Sequence, residues 1–161
     1  MIKIKSYKDS YKNGIRDLIV PIQQDEFGID IQYEDQPDLV DVNGFYCKGS
    51  GGFWVALHGN TVVGSIALID IGDDQLALRK MFVDAKYRGK IHGVAQSLLD
   101  HVLNHAREVA AVDIFLGTTK KFLAAHKFYE KNGFVVIDES ALPKAFPKMK
   151  VDTRFYRWKT G

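Results

Sequence analysis

An α/β (α+β) fold, with a mixed and mostly antiparallel sheet flanked by helices, is predicted by three features of the sequence. The chain has 161 residues, about one domain's worth. Residues 52–83 hold three apolar or alternating runs separated only by Gly59-Asn60 and Gly72-Asp73-Asp74, the pattern of consecutive antiparallel strands. From Ala95 the apolar period changes to that of a helix, with Leu98, Leu99, Val102, Leu103 and Ala106 on one stripe.

Taken in order, residues 2–7 alternate apolar and charged side chains as a strand does. Ile15, Leu18, Ile19 and Ile22 recur at helical spacing across residues 9–26, with Pro21 expected to kink that helix. Pro37 suits the first turn of a shorter helix that buries Leu39 and Val42, and Asn43-Gly44 and Gly49-Ser50-Gly51-Gly52 break the chain around it. Gly52 to His58 and Thr61 to Ile71 read as a hairpin, and Gln75 to Val83 as the strand that follows. Val112 to Leu116 is a short strand ending at Gly117, after which Thr118-Thr119 reads as the cap of a helix over 121–131, closed by Asn132-Gly133. Phe134 to Ile137 is a strand, 140–149 a proline-punctuated loop, and Val151 to Trp158 a last strand. No repeat or long linker interrupts this order, so one domain over 1–161 is expected.

Composition excludes several classes. At 46% hydrophobic and 26% charged with 4 prolines, the chain is too apolar for disorder and too mixed for collagen or a coiled coil. A net charge of +2 offers no bulk field for nucleic acid. One cysteine, Cys47, permits no internal disulfide and no Cys-based zinc site. His101 and His105 are one helical turn apart but lack an evident third ligand, so no metal is expected. Met1 to Lys5 alternates in place of an apolar signal core, and no run approaches the ~18 residues of a membrane helix. The expectation is a cytoplasmic protein without a membrane or nucleic-acid partner.

The chemistry is concentrated in two stretches. Met81-Phe82-Val83-Asp84-Ala85-Lys86-Tyr87-Arg88-Gly89-Lys90-Ile91-His92-Gly93-Val94-Ala95 is a strand, a basic glycine-containing turn and a helix start. Backbone N–H groups at such a start have no intrahelical partner and favour an anion, glycines allow its close approach, and Arg88 and Lys90 add charge. The spacing matches neither the Walker A loop nor the dinucleotide-binding glycine pattern, and the residues of the turn alone also suit an ordinary strand-to-helix connection. The second stretch is Ala125-His126-Lys127-Phe128-Tyr129-Glu130-Lys131-Asn132-Gly133-Phe134.

Together, Val-Asp-x-x-Tyr-Arg-Gly-Lys and Ala-x-x-Phe-Tyr-Glu-Lys-x-Gly-Phe resemble the GNAT superfamily of acetyl-CoA-dependent N-acetyltransferases, closely over residues 75–137. The resemblance implies a GNAT-type fold splayed at the fourth strand, where the backbone of Met81, Phe82 and Val83 would pair with the pantetheine arm and donate to the thioester carbonyl. Arg88, Gly89, Lys90, Gly93, Val94 and Ala95 would hold the pyrophosphate. Tyr129 would stand near the sulfur as general acid, with Ala125 one turn earlier on the same face counted among the coenzyme contacts. Acetyl-CoA is then the co-substrate, a small-molecule amine or a lysine side chain the partner, and a homodimer the implied assembly.

Three departures stand out. Ile91-His92 read as a two-residue insertion in the turn, because only that register leaves Gly93-x-Ala95 followed by the apolar stripe. Phe122 stands where the family often has Asn, and Ala77 where it often has a glutamate base. An amine attacks a thioester only when neutral, so a base must take a proton from an ammonium of pKa ~10. The candidates are Asp25, Glu26, Asp70, His92 or a water chain, with Asp25 and Glu26 assigned to the acceptor side. Cys47 lies outside the motifs, so transfer is expected to be direct. A coenzyme A-binding regulatory module without catalysis is the alternative, and a nucleotide-binding protein a further class.

Charge is unevenly placed. Residues 17–47 hold eight acids (Asp17, Asp25, Glu26, Asp30, Glu34, Asp35, Asp38 and Asp41) and no Lys or Arg, so the near-neutral total divides into −8 there and +10 elsewhere. The family places the region between the first two helices beside the acceptor. A cationic acceptor, such as a polyamine, an aminoglycoside-like sugar or a lysine side chain, is the expectation, set against acids that merely solvate a loop.

Overall fold

The computed structural model describes residues 1–120 and 122–160. Seven strands form one sheet: β1 Ile2–Ser6, β2 Gly52–His58, β3 Thr61–Gly72, β4 Gln75–Val83, β5 Asp113–Thr118, β6 Val135–Ile137 and β7 Arg154–Lys159, in the spatial order β1-β2-β3-β4-β5-β7-β6. Only β4 and β5 run parallel, and their crossover is the long helix α4, Val94–Glu108. A parallel pair needs such a crossover, whereas the β2-β3-β4 meander needs only tight turns. The turn between β3 and β4 holds Gly72, Asp73 and Asp74 all at positive φ, which suits Gly and Asp.

Two layers cover the sheet. On one face α4 buries Val94, Leu98, Leu99, Val102, Leu103 and Ala106 against Trp54, Ile66, Leu68 and Leu76, joined by Tyr129 of α5, Leu123–Lys131. Each such leucine contributes about 1.5–3 kcal/mol through burial. Gly64 of β3 sets how near α4 can come: a Cβ there would stand 2.9 Å from Val94 Cγ1 and 3.0 Å from Leu98 Cδ1. On the other face α1 (Lys12–Pro21), α2 (Pro37–Val40) and α3 (Val42–Phe45) bury Ile15, Ile19, Leu39 and Val42 against Phe53, Val55 and Ala67. Further along that face the loop before β7 brings Phe146 onto Ala77, Phe115 and Phe155.

Several local expectations are corrected. The helix expected over residues 9–26 is a 3-10 turn (Asp9–Tyr11), then α1, then a π-helical turn (Ile22–Glu26) closed by Phe27 N–H donating to the Ile22 carbonyl at 3.1 Å. Pro21 has no N–H to give, and the chain changes there from α-helical to π-helical pitch. Thr118 is no helix cap: it continues β5 opposite Arg154, and α5 starts after Phe122 without a side-chain cap. Lys121, the expected first residue of that helix, lies outside the described residues. The last strand begins at Arg154, three positions later than its apolar pattern suggests, because Asp152 accepts from the Met149 amide in a turn.

Candidate active site

The parallel ladder between β4 and β5 is short. Gln75, Leu76 and Ala77 pair with Asp113, Ile114 and Phe115, and there the two strands part. β4 goes on to Val83 beside β3, while Leu116 to Thr118 stay with β7. Asp113 pins the closed end, accepting from Arg157 at 2.8 Å and Gln75 at 3.2 Å. A bulge shapes the open limb of β4. Phe82 opposes Ser65 and Arg79 opposes Ala67, leaving one residue too many on β4, and Lys80 takes φ 53° while its carbonyl accepts from Ser65 Oγ at 2.7 Å.

Tyr129 faces this opening from the α4–α5 side. Its hydroxyl lies 3.7 Å from Met81 Sδ, a weak acceptor. Burial pushes its pKa up to about 12, with nearby Tyr156 adding to the rise, so the phenol stays protonated at neutral pH. Ala125 and Phe128 pack on the same cluster, and Val83 joins Met81 there, while Phe82 turns to the opposite layer.

Beyond Val83 the chain makes a 3-10 turn (Ala85–Tyr87) and a loop, closed by the Gly93 amide donating to the Gly89 carbonyl at 3.2 Å. Both glycines have positive φ, 99° and 60°. Ile91 is 96% exposed and His92 is exposed too, so this pair stands out from the turn, and α4 starts at Val94 behind Gly93 with no side-chain cap. The first amides of α4 therefore open toward the turn, as an anion site requires. His92 lies against Tyr87, whose hydroxyl meets His58 Nδ1 at 2.6 Å. Lys90 is exposed. Arg88 is engaged: its guanidinium forks onto Glu26 at 2.7 and 2.9 Å and its Nε donates to the Val83 carbonyl at 2.9 Å. Two residues assigned to opposite substrates are thus brought together. Asp25 is exposed beside them.

On the α1–α3 side, Lys80 reaches away from β4 into a buried polar group. Its ammonium donates to Gln36 Oε1 at 2.7 Å and lies 3.5 Å from Asp38 Oδ2, with side chains only 8% and 9% exposed. Tyr46 donates to the same Asp38 carboxylate, and Gln36 exchanges two bonds with Gln23 at 2.8 and 3.0 Å. Burial pulls the pKa of Lys80 down, against the pull of Asp38 toward the charged form, and burial drives Tyr46 up. Phe27 lies 4.6 Å from Phe122 and 6.2 Å from Phe82, ring to ring, so the end of the π-helical turn meets both limbs of the opening.

Other candidates lie elsewhere. Asp70 accepts from the Ser50 and Gly72 amides, at the end of the hairpin far from Met81, and these bonds hold its pKa down. Burial raises the Cys47 thiol pKa, the reverse of an activated thiolate. His105 bonds the Ser50 carbonyl at 2.8 Å, and among the described residues no group of His, Cys, Asp or Glu could hold a metal. Sequence reasoning passed over Arg79, Lys80 and Tyr46, and counted Asp38 only among the acids of residues 17–47. The available signal was a pair of adjacent cations inside a strand that is otherwise mostly apolar.

Residues 49–136 match the family model described as an acetyltransferase (GNAT) domain. An N-acetylaspartate synthetase of Danio rerio is 39% identical over 105 residues, 64% of this chain and 36% of that protein, so the match spans about a third of the relative's length. The crystal structure of a GNAT-family acetyltransferase from Staphylococcus aureus Mu50 superposes with a TM-score of 0.93 at 40% identity, covering 100% of both chains. The N-acetylglutamate synthase of Neisseria gonorrhoeae, solved with coenzyme A and N-acetyl-glutamate, shares the fold at a TM-score of 0.76 and 16% identity, covering 100% of this chain and 35% of that one. With its parted fourth and fifth strands and its matched motif stretch, the chain belongs to the GNAT family of acetyltransferases.

Proposed function

We propose that the chain, as one domain over 1–161, moves an acetyl group from acetyl-CoA to the primary amine of a small molecule by direct attack. The observation that carries this reading is the Tyr129 hydroxyl facing Met81 across the point where β4 leaves β5. Acetyl-CoA supplies the acetyl group activated as a thioester. The uncapped start of α4 and Gly93 fit its pyrophosphate, and Lys90 adds charge there. Backbone groups of Met81 to Val83 hold the pantetheine arm and donate to the oxyanion that forms at the carbonyl. The amine nitrogen bonds to the carbonyl carbon, the C–S bond breaks, and Tyr129 hands its proton to the departing sulfur while the amine gives one up. Water or Glu26 accepts that second proton. The two-layer approach suits the chemistry: Tyr129 sits on the α4–α5 side, and the amine comes from the α1–α3 side.

The test is thiol release from acetyl-CoA over a panel of primary amines, with the acetylated product identified by mass. A regulatory coenzyme A-binding module would bind the cofactor and release no thiol, and a nucleotide-binding protein would prefer ATP. A cationic acceptor draws less support than the run of acids suggests. Asp17, Glu26, Asp35, Asp38 and Asp41 are engaged with Arg16, Arg88, the Gln32 amide, Lys80 and the Gly44 amide. The relatives favour a second reading, an amino acid, since one is named for N-acetylaspartate and the other was solved with N-acetyl-glutamate. We keep a homodimer and a cytoplasmic location as proposals from the family likeness and the lone Cys47.

A further inference from the structure

We propose that the acceptor amine carries a carboxylate and that Arg79 receives it on the α1–α3 side of the opening. The proposal rests on the acetyl-transfer reading and adds to it a substrate class and the residue that selects it.

Register places Arg79. It pairs across β3 with Ala67, whose side chain belongs to the α1–α3 core, so Arg79 points to that layer. It stands two residues past Ala77, the last position joined to β5, and so enters the gap as it opens. Among the described residues no carboxylate pairs with it within 4.0 Å, and its charge reaches Asp152 only at longer range, opposing the rise that burial gives that carboxyl's pKa. Among the described residues, Arg16, Arg88, Arg154 and Arg157 each have a carboxylate within 4.0 Å, and Arg107 is an exposed partner of Asn104 and Trp158. Arg79 is half-buried, and among the described residues its one hydrogen-bond contact is Met149 Sδ at 3.5 Å. The acid nearest in chain to that contact, Asp152, is turned to the Met149 amide at 3.0 Å.

A guanidinium has five donors in a planar fork that suits a two-oxygen planar anion. Half-burying that charge without a directly paired carboxylate costs free energy that a bound carboxylate returns. The neighbouring cation, Lys80, is already held by Asp38 and Gln36 and leaves the role to Arg79. A cationic acceptor would bring its charge up to a guanidinium with no directly paired carboxylate, which like-charge repulsion opposes. An amino acid spans the two functions: its carboxylate on Arg79 holds its amine toward the parted strands.

The experiment measures initial rates of thiol release by the full chain at saturating acetyl-CoA. Glycine, L-aspartate and L-glutamate are compared with their carboxamides and with 1,4-diaminobutane. The expected result is a kcat/KM for the best amino acid about tenfold or more above that of its amide and of the diamine. Arg79→Gln raises the KM for that amino acid by about tenfold and erases the preference, leaving the KM for acetyl-CoA unchanged, and Arg79→Lys recovers part of it. An arginine that only supports the fold would lower all acceptors alike. A wild-type preference for the diamine or amides, or equal losses for all acceptors in Arg79→Gln, overturns the proposal while acetyl transfer stands. Should no amine release thiol, calorimetric titration of the amino acids into the protein with coenzyme A separates the two readings. Binding that Arg79→Gln abolishes keeps the carboxylate site without acetyl transfer, and absence of binding overturns the site too.

Discussion

At the Tyr129 hydroxyl, burial opposes ionisation, so the proton is retained through the pH range in which an acceptor ammonium loses its own. A raised pKa makes Tyr129 a reluctant acid toward a free thiolate of pKa ~8.5, so its proton has to move as the C–S bond breaks. Tyr129→Phe is expected to lower kcat about a hundredfold with the KM for acetyl-CoA near wild type, measured by initial rates. The acid form is complete below a folded pKa of about 12, so Tyr129 imposes no alkaline fall in kcat up to about pH 10. A kcat that halves near pH 10 and loses that limb in Tyr129→Phe would assign Tyr129 an unshifted pKa. The motif around Tyr129 was legible in the sequence because it is local. Arg79 was not, because its significance lies in the lack of a carboxylate paired with it, which only the surroundings of β4 reveal.

Two elements set the geometry around that residue, and they differ in how far the sequence announces them. The stripe on α4 is announced by its period, and the seat of α4 on Gly64 fixes where its uncapped first turn stands. Gly64→Ala places a methyl 2.9 Å from Val94 Cγ1. Overpacking of this kind costs about 1–3 kcal/mol and lifts the first turn of α4. The expected outcome is a lower denaturation midpoint together with a raised KM for acetyl-CoA, while the KM for the acceptor stays near wild type. The bulge in β4 was silent by comparison: Lys80 leaves the two-residue alternation, and its partners Gln36 and Asp38 come from another layer. Asp38→Asn strands a buried ammonium and is expected to cost about 3–5 kcal/mol in a denaturant titration. The double change Asp38→Leu with Lys80→Met removes both charges and restores most of that stability, but frees the bulge and leaves turnover low. Thr118-Thr119 misled for a related reason, since a β-branched threonine serves a strand opposite Arg154 as well as it serves a cap.

Across the molecule, the division of charge along the chain was legible, but its use was not. Several acids of residues 17–47 cap or pair with groups of the fold, Asp41 with the Gly44 amide, Glu26 with Arg88 and Asp38 with Lys80. Elsewhere, Asp113 joins three strands at the closed end of the gap, and its pKa reports that closure. Burial alone would raise it, but hydrogen bonds from Arg157 and Gln75 prevail and hold it below the ordinary carboxylate value. A depressed folded pKa gives stability that is present above the unfolded value of about 3.9 and is lost as pH falls through the folded one. Unfolding midpoints measured from neutral pH downward are therefore expected to drop below about pH 4, and Asp113→Asn to flatten that decline. The fork of Arg88 on Glu26 ties the end of the first helical stretch to the turn before α4. One guanidinium cannot clasp that carboxylate and a cofactor phosphate with the same two edges. On the proposed reading, a cofactor phosphate that recruited Arg88 would release Glu26, and by reciprocity a ligand that drew Glu26 away would raise affinity for the cofactor by the same factor, so one arginine would couple the two sides whichever ligand came first.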